Sequence, residues 1–524
     1  MGSMNKHQAP LLEALLRYRE EGNVSLHVPG HKNGKAYAGV QEADLLREVM
    51  RIDVTEITGT DDLHHPEGVI RQAQQLAADC FGAEESYFLV GGSTSGNLAM
   101  ILTVCTAPGD LLLVQRNVHK SVLNGLMLAG AQVVFLQPET DAGSGLAVAP
   151  SEETVRQALE AYPEAKGVLV TMPNYYGMGS DLKPLAAACH QHGVPLLVDE
   201  AHGAHFGLHP MLPDSALSCG ADAVVQSTHK MLGAMTMGAM LHVQGELLDR
   251  KLLRQRLAMV QSSSPSYPLM ASLDLARRQL HAQGQDAFTA GLAAVDAFQR
   301  GLAQLPRFGL LQPPQPATPA AGTAAAGGAA PPPGPSSARA AAYTRQDPFK
   351  AVIYDRTGAL SGYALQRALE ARGCVPEMSD ERRVVLLFSL GSTLEDVNHL
   401  LWALVHIVKQ EPELNLDDID HAAPAAPDVS TWNISSGERS YSSPVSFSLQ
   451  PADPQKLEAI RVEESAGRVA GEMVIPYPPG IPVLYPGEVI TGPMASRLIR
   501  LRDAGVKCQG TADPDMDTIV VYKD

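Results

Sequence analysis

Between Asp53 and about Tyr267 short apolar runs alternate with amphipathic stretches, and this rhythm constrains the fold more than any other feature of the chain. Strands are predicted at Ser86–Val90, Leu111–Gln115, Gln132–Leu136, Gly167–Thr171, Pro195–Asp199 and Ala223–Gln226. Helical spacing of apolar residues predicts helices at Glu67–Phe81, Gly96–Thr106, Val118–Ala129, Glu152–Ala161 and Leu182–His192. Near-continuous apolar strands separated by helices demand a mainly parallel sheet covered on both faces, an α/β fold. Ligands of such sheets gather beyond the carboxyl ends of the strands.

The remaining chain divides by composition. Residues 1–52 hold a helix at Pro10–Glu21 and an irregular His27-Val28-Pro29-Gly30-His31-Lys32-Asn33-Gly34 loop, and residues 53–266 form the large domain. Residues 267–312 read as a long linking helix, and 313–345 as a flexible loop too rich in Pro, Ala and Gly to bury a core. Residues 346–412 read as a small α+β domain, with strands near Ala351–Tyr354 and Val384–Ser389 and helices near Gly362–Ala371 and Leu394–Val408. A connector at 413–445 precedes a C-terminal domain at 446–524.

Composition narrows the class of partner. The 524 residues carry 40 Lys+Arg against 57 Asp+Glu, a formal charge of −17, which argues against nucleic acid as the main ligand. Six scattered cysteines without a C-x-x-C pair read as reduced thiols of a cytoplasmic protein. No apolar run is long enough to span a bilayer, and the N-terminus lacks the pattern of a secretory signal. No membrane partner is expected.

Chemistry concentrates where the strands end. Ser227-Thr228-His229-Lys230 follows the run Ala223-Val224-Val225, and Asp199 closes another such run about thirty residues upstream. A lysine past one strand end and a carboxylate at a neighbouring one suit a Schiff base with pyridoxal phosphate (PLP). The aldehyde needs an amine that loses its proton easily, and the pyridine nitrogen needs a fixed anion to stay protonated. Gly91-Gly92-Ser93-Thr94-Ser95-Gly96-Asn97 offers glycines, hydroxyls and a helix N-terminus to a phosphate, although a plain helix cap explains it equally well alone. His119, in Arg116-Asn117-Val118-His119-Lys120-Ser121, can stack on the pyridine ring or merely cap a helix. Glu200, Ala201 and His202 after Asp199, and His229 beside the lysine, are further candidates to line the pocket. His202, His205, His209 and His64-His65 lack the spacing of a metal site, and no metal is expected.

These motifs, together with Asp53-Val54-Thr55-Glu56, Asp61-Asp62-Leu63-His64, Asp199-Glu200-Ala201-His202-Gly203-Ala204-His205 and Tyr477-Pro478-Pro479-Gly480-Ile481-Pro482, resemble the Orn/Lys/Arg decarboxylase family almost end to end. The chain looks like the short bacterial form. The resemblance implies the fold type I, aspartate-aminotransferase-like architecture with a C-terminal decarboxylase domain. It implies that Lys230 forms the Schiff base, Asp199 pairs with the ring nitrogen, His119 stacks on the ring, and Ser93, Thr94, Ser95, Ser227 and His229 surround the phosphate. It also implies a homodimer or higher homo-oligomer with the active site at the interface, closed by the His27–Lys32 and Asp61–His64 segments. The Pro/Ala/Gly stretch departs from the family pattern.

The function so implied is PLP-dependent decarboxylation of lysine, arginine or ornithine to the corresponding amine, in polyamine-related metabolism. The bond that breaks must stand perpendicular to the conjugated ring, so the α-carboxylate must be held there, with Lys230 or His229 returning a proton to Cα. A long basic side chain needs a distant anion, for which Glu488, Glu56, Asp61 and Asp62 are candidates. Two alternatives remain open. One is another fold type I reaction (aminotransferase, aldolase or carbon–sulfur lyase), and the other a non-catalytic PLP-binding homologue.

Overall fold

The computed structural model describes residues 5–313, 342–410 and 439–523. Its centre is an eight-stranded sheet in the spatial order Glu85–Leu89, Ala239–Val243, Ala223–Gln226, Leu196–Asp199, Val168–Thr171, Leu111–Gln115, Gln132–Leu136, Val445–Ser446. The five strands from Ala223–Gln226 to Gln132–Leu136 pair in parallel, as their apolar character demands. All six predicted strands are present within a residue or two. Ala239–Val243 is an addition, running antiparallel between Ala223–Gln226 and Glu85–Leu89. A further edge strand, Val445–Ser446, pairs antiparallel with Gln132–Val133.

Helices cover both faces, and each face has its own core. The N-terminal helix Pro10–Glu21 buries Leu11 and Leu15, and Asp274 accepts the amide of Leu11 at 3.0 Å. Arg277, itself buried, donates to the carbonyls of Lys6 and Gln8 and so fastens the segment ahead of that helix. The linking helix is not continuous. It breaks at Gly284, giving Tyr267–Gln283 and Thr289–Leu302 around a single tight turn. Glycine at φ +55° ends the first helix, where the apolar periodicity alone suggested none would end.

The small domain is a four-stranded antiparallel sheet, Met378–Ser379, Arg383–Leu387, Lys350–Asp355 and Phe308–Leu310, backed by helices Gly362–Glu370 and Leu394–Gln410. Most of the Pro/Ala/Gly loop and the connector lie outside the described residues, at 314–341 and 411–438. The loop as delimited from sequence extends too far. Tyr343 is buried, and Arg345–Gln346 pairs with Met178–Gly179, so these residues belong to the folded chain and not to a flexible loop.

The C-terminal domain has a core of its own, including Val462, Leu484, Ile490, Leu498 and Val521, around the strand pair Leu457–Arg461 and Thr518–Tyr522. Among the described residues no helix is long and apolar enough to cross a membrane.

Candidate active site

The loops that follow the parallel strands converge on one cavity of about 340 Å³. Lys230 rises from the short helix Thr228–Met231, directly after Ala223–Gln226. Its Nζ lies 3.0 Å from His202 Nε2. Burial lowers its proton affinity, while Asp199 and Glu377 pull in the opposite direction.

Asp199 ends the adjacent strand and is buried. Asn97 Nδ2 donates to its Oδ2 at 2.8 Å, and the Ala201 amide donates to Oδ1 at 3.1 Å. The same Asn97 amide donates to Ser121 Oγ, so a carboxylate, an amide and a hydroxyl lock one another below the cavity.

His119 is both a helix cap and a pocket wall. Its Nδ1 accepts the Ser121 amide at the start of Lys120–Ala129, and its ring faces the cavity. Burial, with Lys230 and Lys120 nearby, pushes its pKa down to about 4 against the pull of Asp199, so the ring is neutral at pH 7. Across the ring stands Gly480 at φ +88°, where an added Cβ would lie 2.9 Å from His119 Nε2. The Lys120 amide donates to the Gly480 carbonyl, and Tyr477, Pro479 and Ile481 complete that wall. The C-terminal motif thus closes a cavity built by the large domain.

At the opposite rim the helix Gly92–Val104 begins four residues earlier than sequence periodicity suggested. Its first turn lies in the glycine–serine motif, so free amides and the positive end of the helix dipole face the cavity. Ser93 and Ser227 share a 2.5 Å hydroxyl contact there, and Thr94 also lines the cavity. His229 reaches the cavity too, with Nδ1 on the Gly238 carbonyl at 3.0 Å. Ser95 does not reach it. Its hydroxyl donates back to the Gly92 carbonyl, because its helical position turns it away from the rim.

The four acids considered for the substrate are not on the cavity wall. Glu488 is buried with both oxygens on Arg116, at 2.8 and 3.1 Å, and Arg116 also donates to the Pro482 and Val483 carbonyls. It joins the C-terminal domain to the large one and does not line the cavity. Asp61 accepts the amides of Glu67, Gly68, Ile70 and Arg71 and so caps the helix Val69–Phe81. Burial raises its pKa, but those amides bring it below the ordinary carboxylate value. Asp62 accepts the His64 amide, and exposed Glu56 takes the Thr55 hydroxyl.

Three residues to which the sequence assigned no role of their own bear on the site. Asn97 holds Asp199. Lys350, at the start of Lys350–Asp355, has Nζ 3.1 Å from His202 Nδ1. Glu377 precedes Met378–Ser379 and exerts an electrostatic pull on Lys230, Lys350 and His229. A lysine interrupting an apolar strand start was a legible signal for Lys350. Glu377 carried none. His205 pairs with Asp347 at 3.0 Å, and His209 Nδ1 accepts the Met211 amide.

The donors present fit PLP. The helix N-terminus with Ser93, Thr94 and Ser227 suits its phosphate, buried Asp199 suits its ring nitrogen, and Lys230 suits its aldehyde. Fold and donor set define the class as PLP-dependent enzymes of fold type I.

Comparison with known proteins specifies it further. The Orn/Lys/Arg decarboxylase major domain matches residues 9–396, and the C-terminal domain of that family matches residues 448–512. An uncharacterized Bacillus subtilis protein, YaaO, is 39% identical, the match covering 98% of each chain. The arginine decarboxylase of Bacillus subtilis is 32% identical over 99% of each chain. The structure of the Escherichia coli constitutive lysine decarboxylase shares the fold with a TM-score of 0.75 at 23% identity, covering 99% of this chain and 82% of that one. The chain belongs to the Orn/Lys/Arg decarboxylase family. It is a PLP-dependent carboxy-lyase acting on a basic amino acid.

Proposed function

We propose that arginine is the preferred substrate and that Glu377 receives its guanidinium. One observation carries this. The Glu377 carboxylate is exposed and forms no ion pair among the described residues; it does not line the cavity of its own chain, but unlike the four acids considered from sequence it bears electrostatically on both Lys230 and Lys350. A guanidinium offers paired N–H groups to such a carboxylate, whereas an ammonium offers a point contact. Arginine decarboxylases from Bacillus species match this chain along nearly their whole length, while the lysine decarboxylases of Pseudomonas aeruginosa and Escherichia coli are covered over 74% and 75%. CO₂ release measured on arginine, lysine and ornithine tests the preference. The kcat/KM should be highest for arginine, and Glu377→Gln should lower it about 10²-fold, the scale of removing one partner of a charged contact. A higher kcat/KM on lysine or ornithine, or an unchanged Glu377→Gln variant, would contradict the assignment.

The residue roles follow the chemistry of the site. When bound, PLP supplies an electron sink for the pair left at Cα as CO₂ departs. Lys230 is the lysine that holds the aldehyde, and Asp199 keeps the ring nitrogen protonated. His119 presents a neutral face to the ring, and Ser93, Thr94, Ser227 and His229 bind phosphate. Lys230 or His229 returns the proton to Cα.

The assembly is a homodimer in which the N-terminal segment of one subunit closes the cavity of the other. Val24, Leu26 and Leu45 are 76%, 89% and 80% exposed, an apolar surface that a second copy would cover. The His27–Lys32 and Asp61–His64 segments lie off the cavity of their own chain. The six cysteines are free thiols, which suits the reducing cytoplasm.

A further inference from the structure

His202 lies between two lysines. Its Nε2 is 3.0 Å from Lys230 Nζ and its Nδ1 is 3.1 Å from Lys350 Nζ. The imidazole is buried and its ring lies 4.1 Å from that of Tyr175, over which both amines also sit, at 5.6 and 5.4 Å from the ring centroid. A neutral imidazole has one N–H and one lone pair, and an ammonium can only donate. Two ammoniums therefore cannot both be satisfied by this ring, and an imidazolium would satisfy neither. The arrangement closes only when one ammonium donates to one ring nitrogen and the other ring N–H donates to a free amine.

We propose that Lys350 is a positioning residue for Lys230. Acting through His202, its ammonium orients the imidazole so that Nε2–H is donated to the Lys230 nitrogen, which is held as a proton acceptor. The inference rests on Lys230 being the PLP lysine.

Several independent features agree. Lys350 is almost fully buried, and its stem is fixed against Gly177, where at φ +82° an added Cβ would lie 2.5 Å from Lys350 Cβ. Burial lowers the Lys350 pKa to about 8, with Glu377 and Asp347 opposing, so that amine is still charged at pH 7. Burial lowers Lys230 too, and it is the commitment of Lys230 to the cofactor aldehyde that makes its nitrogen the acceptor and leaves Lys350 as the ammonium. His202 is held well below its ordinary value by burial and by both lysines, hence neutral. The groups facing Lys230 are Asp199 and Glu377, which favour its charge, and His119, His202, His229 and Lys350, which do not. Lys350 is the cation among the latter that His202 couples directly to the amine.

The test is a pH titration of the visible absorption band of the holoenzyme, which reports the proton on the Lys230 nitrogen. Borohydride reduction and peptide mapping first establish where the cofactor sits. Lys350→Met should raise the titration midpoint by about one unit, a tenfold gain in proton affinity. In a His202→Phe background the same change should move it by less than about 0.3 units, since the link is already cut. His202→Phe alone should also raise the midpoint, which keeps the test open if Lys350→Met does not fold. An unmoved midpoint in either single variant overturns the proposal. So does an equal Lys350→Met shift in both backgrounds, which would mean a direct effect without His202. A pyridoxyl label away from Lys230 would defeat the site assignment itself, whereas a label on Lys230 with an unmoved midpoint defeats only this inference.

Discussion

Asp199→Asn is expected to lower kcat about 10³-fold, on the scale seen when one fixed charge-stabilising group is removed from a catalytic site. The carboxylate lies at the end of Leu196–Asp199, buried, with both oxygens already accepting hydrogen bonds from Asn97 and Ala201. Those donors fix its direction, and a buried carboxylate so oriented holds a proton on a facing nitrogen far better than water does. Asparagine keeps the shape and can still accept from Asn97, so the fold should survive. What disappears is the charge. The expected pattern is a fall in kcat with a cofactor that still binds; a kcat within threefold of the parent would exclude the role assigned to Asp199.

Arg116→Met should produce the largest loss of stability, about 3–5 kcal/mol, the range for breaking a buried ion pair from one side. Arg116 and Glu488 are buried on either side of the junction between the large and C-terminal domains, 372 positions apart in sequence. Removing the guanidinium also strips donors from the Pro482 and Val483 carbonyls and leaves a carboxylate whose pKa burial already raises. Replacing both residues with apolar side chains of similar volume, Arg116→Met with Glu488→Leu, should recover much of the loss, because no uncompensated charge remains. Urea unfolding distinguishes these. A single-variant midpoint equal to that of the parent would show that the ion pair does not hold the junction, and equal midpoints for the single and double variants would show that the unpaired carboxylate is not the source of the loss.

Much of the sheet was readable because each parallel strand is an unbroken apolar run followed by a helix signal, as in Leu196–Asp199 and Ala223–Gln226. Ala239–Val243 escaped because its direction is set by neighbours rather than by its own pattern. The break at Gly284 was hidden for a similar reason. Apolar spacing continues on both sides of it, and only the left-handed φ of one residue marks the end.

The site was legible where chemistry is local. Lys230, Asp199, His119 and the Ser93–Thr94 turn stand at strand ends, and strand ends converge in any parallel sheet. Ser95 was misjudged because a helix begun at Gly92 turns its third hydroxyl away, a matter of where the first turn starts. Glu488, in a Pro-Gly-Glu stretch, has the look of an exposed turn, and its partner is too distant in sequence to be seen. Asn97, Lys350 and Glu377 reach the site from a helix and from the small domain. Apart from the lysine that interrupts the apolar strand start at Lys350, their importance comes from tertiary contact alone.

Borohydride reduction of the cofactor-saturated protein, followed by peptide mapping, addresses the centre of this reading more directly than any rate. The expected result is one pyridoxyl group per chain, on the ε-nitrogen of Lys230, and none in Lys230→Ala. A label on Lys350 or any other lysine, or no label at all, would contradict it.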